Sequence, residues 1–144
     1  MNRKIAIGCD HAGHQLKGAI IEELKKEGYE VVDFGCHSEE SIDYPDYAHP
    51  VAEIIEEEKI TGILICGSGN GISMAANKHN TIRCALCWTE EIAILARQHN
   101  DANIIALPAR FISMDTALKT VHSFLNTTFE GGRHQRRVNK IACI

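Results

Sequence analysis

Short apolar runs alternate along this chain with segments of helical periodicity, and that alternation limits the fold more than any other feature. The runs KIAIGC (4–9), EVVDF (30–34), ITGILIC (60–66), IRCALC (82–87) and NIIAL (103–107) read as strands. Between them, apolar residues recur at steps of three and four. Leu16, Ala19, Ile20 and Leu24 share one face, with Gly28 as the C-cap. Val51, Ile54 and Ile55 mark a helix over Pro45–Glu58, and another spans about Ile72 to Lys78. Thr89 is an N-cap ahead of Ile92, Leu95 and Ala96, and Met114, Ala117, Leu118, Val121 and Leu125 mark the helix after the last run. Strand and helix in alternation make βαβ units, so the class is α/β with a five-stranded parallel sheet. A closing helix is predicted from about Arg133 to Ile141. With 144 residues and no repeat, linker or low-complexity segment, residues 1–144 form a single domain.

Charge narrows the function. A net charge of −4 at pH 7 disfavours a nucleic-acid binder that works through a basic surface. The imbalance is local: residues 130–144 hold Arg133, Arg136, Arg137 and Lys140 against one acid, Glu130. A basic tail on an acidic body points to an anion site. No apolar run is long enough to span a membrane. The start, MNRKIAIGCDHAG, places Cys, Asp and His where a secretory signal needs apolar residues, so a cytoplasmic location is expected.

Reduced thiols are therefore expected for the six cysteines rather than a disulfide framework. Cys84 and Cys87 match C-x-x-C, but residues three apart on a strand face opposite ways, so they do not converge on a metal.

In an open parallel sheet, ligands bind beyond the carboxyl ends of the strands. The residues expected there form a set: Cys9-Asp10-His11 after the first strand, Cys66 with Gly67-Ser68-Gly69-Asn70-Gly71 after the third, and Pro108-Ala109-Arg110 after the fifth. The glycine loop is neither a dinucleotide fingerprint nor a Walker loop, because position 72 is Ile and no Gly-Lys-Ser/Thr follows. What remains is a nest of backbone N–H donors at a helix N-terminus, able to hold a phosphate or a developing oxyanion. Cys66 sits at its lip, where nearby amides are expected to lower the thiol pKa and make it a base or nucleophile. The competing reading is a small buried hydrophobe that ends a core strand. A phosphatase would need an arginine closing a C-x₅-R loop, and Ile72 denies it.

Asp10 is a natural N-cap, which leaves His11 unexplained. His99-Asn100-Asp101 ends a helix, where a histidine is favourable with the dipole. Arg133 and Arg137 share a helical face, with Lys140 continuing it, and forked guanidiniums suit a phosphate. Being at the chain's end, this arm could reach a neighbouring subunit. The inventory is an anion site, a candidate base and candidate acids, without a metal-ligand set or cofactor fingerprint. It suits cofactor-free proton transfer on a small phosphorylated substrate.

Taken together, GCDHAG (8–13), DYPDYA (43–48), CGSGNGISMAANK (66–78), IRCAL (82–86), ARQHND (96–101) and EGGRHQRRV (130–138) resemble the type B ribose-5-phosphate isomerases. The wider family also includes allose-6-phosphate and galactose-6-phosphate isomerases. The likeness runs from about residue 3 to 141. It implies a three-layer α/β/α Rossmann-like sandwich and interconversion of ribose 5-phosphate and ribulose 5-phosphate through a cis-enediolate, without metal or cofactor. It also implies dimers, sometimes tetramers, whose active sites draw on two subunits.

By matching positions, the resemblance makes Cys66 the base, since the alternative glutamate position is Ile72 here. The amides of Gly67, Ser68, Gly69, Asn70 and Gly71 would stabilise the enediolate, and Ser68 would relay protons. His99 would open the furanose ring and Asn100 would bind the sugar oxygens. Asp10, His11 and Tyr44 would contact substrate, while Arg110 with Arg133 and Arg137 of the partner would clamp the phosphate. Two alternatives remain open: an isomerase of a six-carbon sugar phosphate, and a non-catalytic sugar-phosphate-binding protein, for which Cys66 and His99 have no use.

Overall fold

The computed structural model describes residues 3–143. Five parallel strands, β1 (Lys4–Cys9), β2 (Glu30–Asp33), β3 (Thr61–Cys66), β4 (Cys84–Leu86) and β5 (Ile104–Pro108), lie in the order β2-β1-β3-β5-β4. Six helices connect or follow them: α1 (His14–Lys26), α2 (Pro45–Glu58), α3 (Asn70–Ala76), α4 (Glu90–Asn100), α5 (Met114–Leu125) and α6 (Arg133–Val138).

The central strands are apolar on both faces, as a parallel sheet covered by helices requires. Ile5, Ile7, Ile63, Ile65, Ile105 and Leu107 face one way and pack with Leu16, Ile20 and Leu24 of α1, Ala93 of α4 and Phe124 of α5. The alternate residues Ala6, Leu64, Ile104 and Ala106 face α2 and α3, meeting Val51, Ile55 and Ile72. The result is a three-layer α/β/α sandwich.

Several boundaries differ from the sequence expectation. Strand β4 is only Cys84–Leu86 rather than 82–87, because the Ile82 amide is taken by the His79 carbonyl in a turn. Helix α3 starts at Asn70, inside the glycine loop, not at Ile72. The closing helix stops at Val138, three residues early. Helix α1 is capped by Glu27, and Gly28 follows with φ +87. As expected, Cys84 and Cys87 face opposite layers.

The amphipathic pattern did not foresee Lys17. It is buried on α1, with Nζ 2.7 and 2.8 Å from the two carboxylate oxygens of Asp33 at the end of β2. Burial alone would raise the Asp33 carboxyl. Lys17 and the Gly35 amide outweigh it and hold the group below the usual carboxylate range.

Helix α1 approaches the sheet closely at its start. A Cβ on Gly13 would lie 2.6 Å from Ile65 Cγ2 and 3.0 Å from the Ile65 carbonyl oxygen, whereas one on Gly18 would meet nothing within 4 Å. Gly13→Ala is expected to lower stability by about 1–3 kcal/mol through overpacking. Gly18→Ala, in an exposed helical position, is expected to raise it by about 0.4–1 kcal/mol. Denaturant midpoints of the two variants check the pair; equal effects would contradict the close approach.

Candidate functional site

The chain reverses its direction of growth across the sheet between β1 and β3, so their carboxyl ends flank a topological switch point. The two strands end together: Cys9 is in register with Ile65, and the Asp10 amide donates to the Ile65 carbonyl at 3.0 Å. Cys66 is the last residue of β3 and is 5% exposed. The loop beyond it turns at Gly69, whose φ of +78 favours glycine, and a Cβ there would sit 2.4 Å from Leu86 Cδ1. This turn brings the amides of Ser68, Gly69 and Ile72 toward the Cys66 sulfur.

These amides do not produce the lowered thiol pKa that the sequence suggests. Burial is the largest influence and pushes the Cys66 thiol up, with the Asp10 charge adding to it. The amides of Ile72, Gly69 and Ser68 pull the other way but do not prevail. The local pattern shows the amides but not how little water reaches the sulfur.

Other candidates gather around the same point. Asp10 is buried, and its Oδ1 accepts from the Ala12 amide at 3.0 Å, so it does cap the turn over His11–Gly13. His11 Nδ1 accepts from the Ile42 amide at 3.3 Å, which places the proton of the neutral ring on Nε2 and ties the 37–44 segment to the site. Tyr44 stands against Gly71, where an added Cβ would meet its ring at 2.5 Å. Arg110 lies over Gly67, and its amide donates to the Gly67 carbonyl at 3.0 Å. Ser68 and Asn70 are exposed on the loop, with Ser68 Oγ 3.3 Å from the Asn70 amide.

His99, Asn100, Arg133 and Arg137 are not part of this group within one chain. Helix α4 begins after β4 and runs back, so its last residues lie at the amino-terminal edge, near the start of β5. Cys66 pairs with Pro108 at the other edge. Four residue steps along β5 separate Pro108 from Ile104, a rise of roughly 13 Å. Arg83 holds the helix end, Nε donating to the carbonyls of Asn100 and Asp101 at 3.1 and 2.9 Å. The Asp101 carboxylate pairs with Arg97 at 3.0 Å and Arg83 at 3.4 Å. A cavity of about 420 Å³ opens here, lined by Lys59, Arg83, Arg97 and Asp101 among others; it is remote from the glycine loop, and its two arginines are engaged in holding the backbone.

Helix α6 packs against α4. His134 stacks on His99 with ring centroids 4.2 Å apart and planes 11° apart, and Glu130 Oε1 lies 3.8 Å from His99 Nε2 and 3.4 Å from His134 Nε2. Loss of hydration, then the charges of His99 and Arg133, push the His134 imidazole below its ordinary value. The ligand atoms of the three residues lie within 4.8 Å of one another. The nearly parallel rings share one Glu130 oxygen, an arrangement that also serves as an ion-pair cluster. Nothing in the sequence marks His134 as a partner of His99; its spacing of four from Glu130 is the available signal. Arg133 and Arg137 are exposed on α6.

A family model described as Ribose/Galactose Isomerase matches residues 5–141. The chain is similar to ribose-5-phosphate isomerase B of Escherichia coli, 46% identical over 143 residues that cover 99% of this chain and 96% of that one. Among solved structures, it is similar to a ribose 5-phosphate isomerase of Thermotoga maritima, with TM-score 0.97, 48% identity and 100% of both chains covered. It is also similar to ribose-5-phosphate isomerase B of Mycoplasma genitalium with bound ribulose-5-phosphate, with TM-score 0.93, 45% identity, and 96% of this chain and 93% of that one covered.

The raised Cys66 thiol carries a pH prediction. A thiol alkylates as thiolate, so raising its pKa moves the onset of reaction to higher pH. The rate of iodoacetamide labelling of Cys66, followed by mass spectrometry, is expected to reach half its maximum above about pH 8.5, the ordinary cysteine value. A half-point below that value would mean that the loop amides outweigh burial.

Proposed function

The chain belongs to the ribose/galactose isomerase family, and on that premise we propose that it interconverts ribose 5-phosphate and ribulose 5-phosphate, with Cys66 as the base. The observation that carries this reading is the thiol at the β1/β3 switch point with the amides of Ser68, Gly69 and Ile72 turned toward it.

The chemistry follows from that placement. The Cys66 thiolate removes the proton from C2 of the open-chain aldose, and the C–H electrons form the C1–C2 double bond. The carbonyl π electrons move to O1, giving a cis-enediolate. Loop amides stabilise the new negative charge where it develops, which lowers the barrier more than it stabilises the substrate. Ser68, exposed beside the sulfur, passes the proton of O2 to O1, and Cys66 returns its proton to C1 to complete the ketose. Asp10, His11 and Tyr44 hold the sugar, and Arg110 holds one side of the phosphate.

Ring opening comes first, because ribose 5-phosphate is mainly a furanose. His99 serves as its acid–base group, and Asn100 binds the sugar oxygens. Within one chain His99 and Cys66 lie at opposite edges of the sheet, so the site is completed by a second copy that contributes His99, Asn100, Arg133 and Arg137. The exposed arginine pair on α6 supports this arrangement. The protein acts as a homodimer or a larger assembly of such pairs.

Cys66→Ala is expected to lower kcat by about 10²–10⁴-fold, the range for a positioned proton-transfer group; full activity would remove Cys66 as base. His99→Asn should lower turnover of ribose 5-phosphate by a similar factor. It should largely spare deuterium uptake at C1 of ribulose 5-phosphate, which has no furanose form. Mixing the two inactive variants as unfolded chains and refolding them together tests the shared site: one intact site forms in each hybrid dimer, so activity should return, and none returns if each site is built from one chain. A panel of ribose 5-phosphate, allose 6-phosphate and galactose 6-phosphate fixes the sugar through kcat/KM, with the five-carbon substrate expected to lead.

A further inference from the structure

His99 stands on the last turn of α4, half-buried; two contacts hold it and a third anchors the arm that makes them. One ring face is covered by His134, stacked at 4.2 Å and 11°; its Nε2 edge faces the Glu130 carboxylate at 3.8 Å; and the Glu130 amide donates to the Gln98 carbonyl at 3.1 Å, anchoring the arm to α4. The same carboxylate oxygen reaches His134 Nε2 at 3.4 Å, so one group aligns both rings. The arm can turn back this way because Gly131 and Gly132 have φ of +66 and +54, after which the His134 amide donates to the Gly131 carbonyl at 3.0 Å.

We propose, on the reading that His99 opens the sugar ring, that Glu130 and His134 are positioning residues that fix the plane of the His99 imidazole and reserve its Nδ1 for the sugar. The carboxylate facing Nε2 favours the tautomer with the proton on Nε2, because the partner of one ring nitrogen sets the state of the other. Nδ1 then carries the lone pair and takes the proton of the anomeric hydroxyl. The imidazolium so formed gives that proton to the ring oxygen as its bond to C1 breaks, so the furanose opens to the aldehyde and neutral His99 is restored without net change of charge. The stack removes rotation about the Cβ–Cγ bond, leaving a ring already oriented when substrate arrives.

Glu130→Ala and His134→Ala test this, with His134→Phe and Glu130→Gln as variants that keep a flat ring or an acceptor in place. Turnover of ribose 5-phosphate should fall about 10–100-fold in both alanine variants, the scale of a misplaced catalytic group. Deuterium uptake into ribulose 5-phosphate should stay within about twofold, since it bypasses the ring. His134→Phe should recover most of the loss. In ¹⁵N spectra of the intact assembly, His99 should be the Nε2–H tautomer, and Glu130→Ala should mix the two forms. Equal losses in both assays, or an unmoved tautomer, would overturn the positioning role. If His99→Asn itself leaves ribose 5-phosphate turnover intact, the ring-opening reading fails; if only Glu130→Ala and His134→Ala are silent, the positioning alone fails.

Discussion

Strands β1 and β3 run side by side and end at the same level, with the Asp10 amide on the Ile65 carbonyl. Every group at the switch point depends on that pairing. It places Asp10 and His11 on one lip and Cys66 with its glycine loop on the other, although 56 residues separate Asp10 from Cys66 in the chain. The pairing is held from both faces, by Leu16 and Ile20 of α1 on one and Val51 and Ile55 of α2 on the other. Gly13 lets α1 begin directly over Ile65.

At Cys66 two effects compete in one place. The turn at Gly69 aims amides at the sulfur, and these favour a thiolate. The strand end is nearly dry, and this favours the thiol. Burial prevails in the free chain. An anionic sulfur with little water to solvate it is a stronger base than an exposed one, and in the proposed reaction the donors already in place would need no reorganisation as charge moved onto the sugar oxygens. The arrangement thus suits abstraction of a carbon-bound proton better than storage of a stable thiolate.

At the opposite edge, backbone carbonyls, arginines and imidazoles form a rigid joint rather than a flexible tail. Arg83 and Arg97 lock the end of α4 through Asp101, and Glu130 returns the arm to Gln98. His99 and Asn100 are therefore presented outward from a fixed base, with Arg133 and Arg137 on the exposed side of α6. In the proposed function, these residues are what a second copy would receive to complete its site.

The sequence by itself determined the elements, most of their bounds and the residues at their ends. Continuous apolar runs in β1, β3 and β5 and three-four spacing in the helices are local signals, set by which faces of each element must leave water. The family likeness likewise lay in short motifs that survive without knowledge of distance. Boundaries slipped where a turn competed for backbone partners, as at Ile82, and where a helix started inside a glycine loop, as at Asn70. Only the tertiary structure decided the strand order, and with it that Asp10 meets Cys66 while His99 does not. It also decided the dryness of Cys66, the burial of Lys17 against Asp33, and the stack of His134 on His99. Each of these depends on what distant segments bring to one place, and desolvation and long-range pairing leave no mark in the spacing of neighbouring residues.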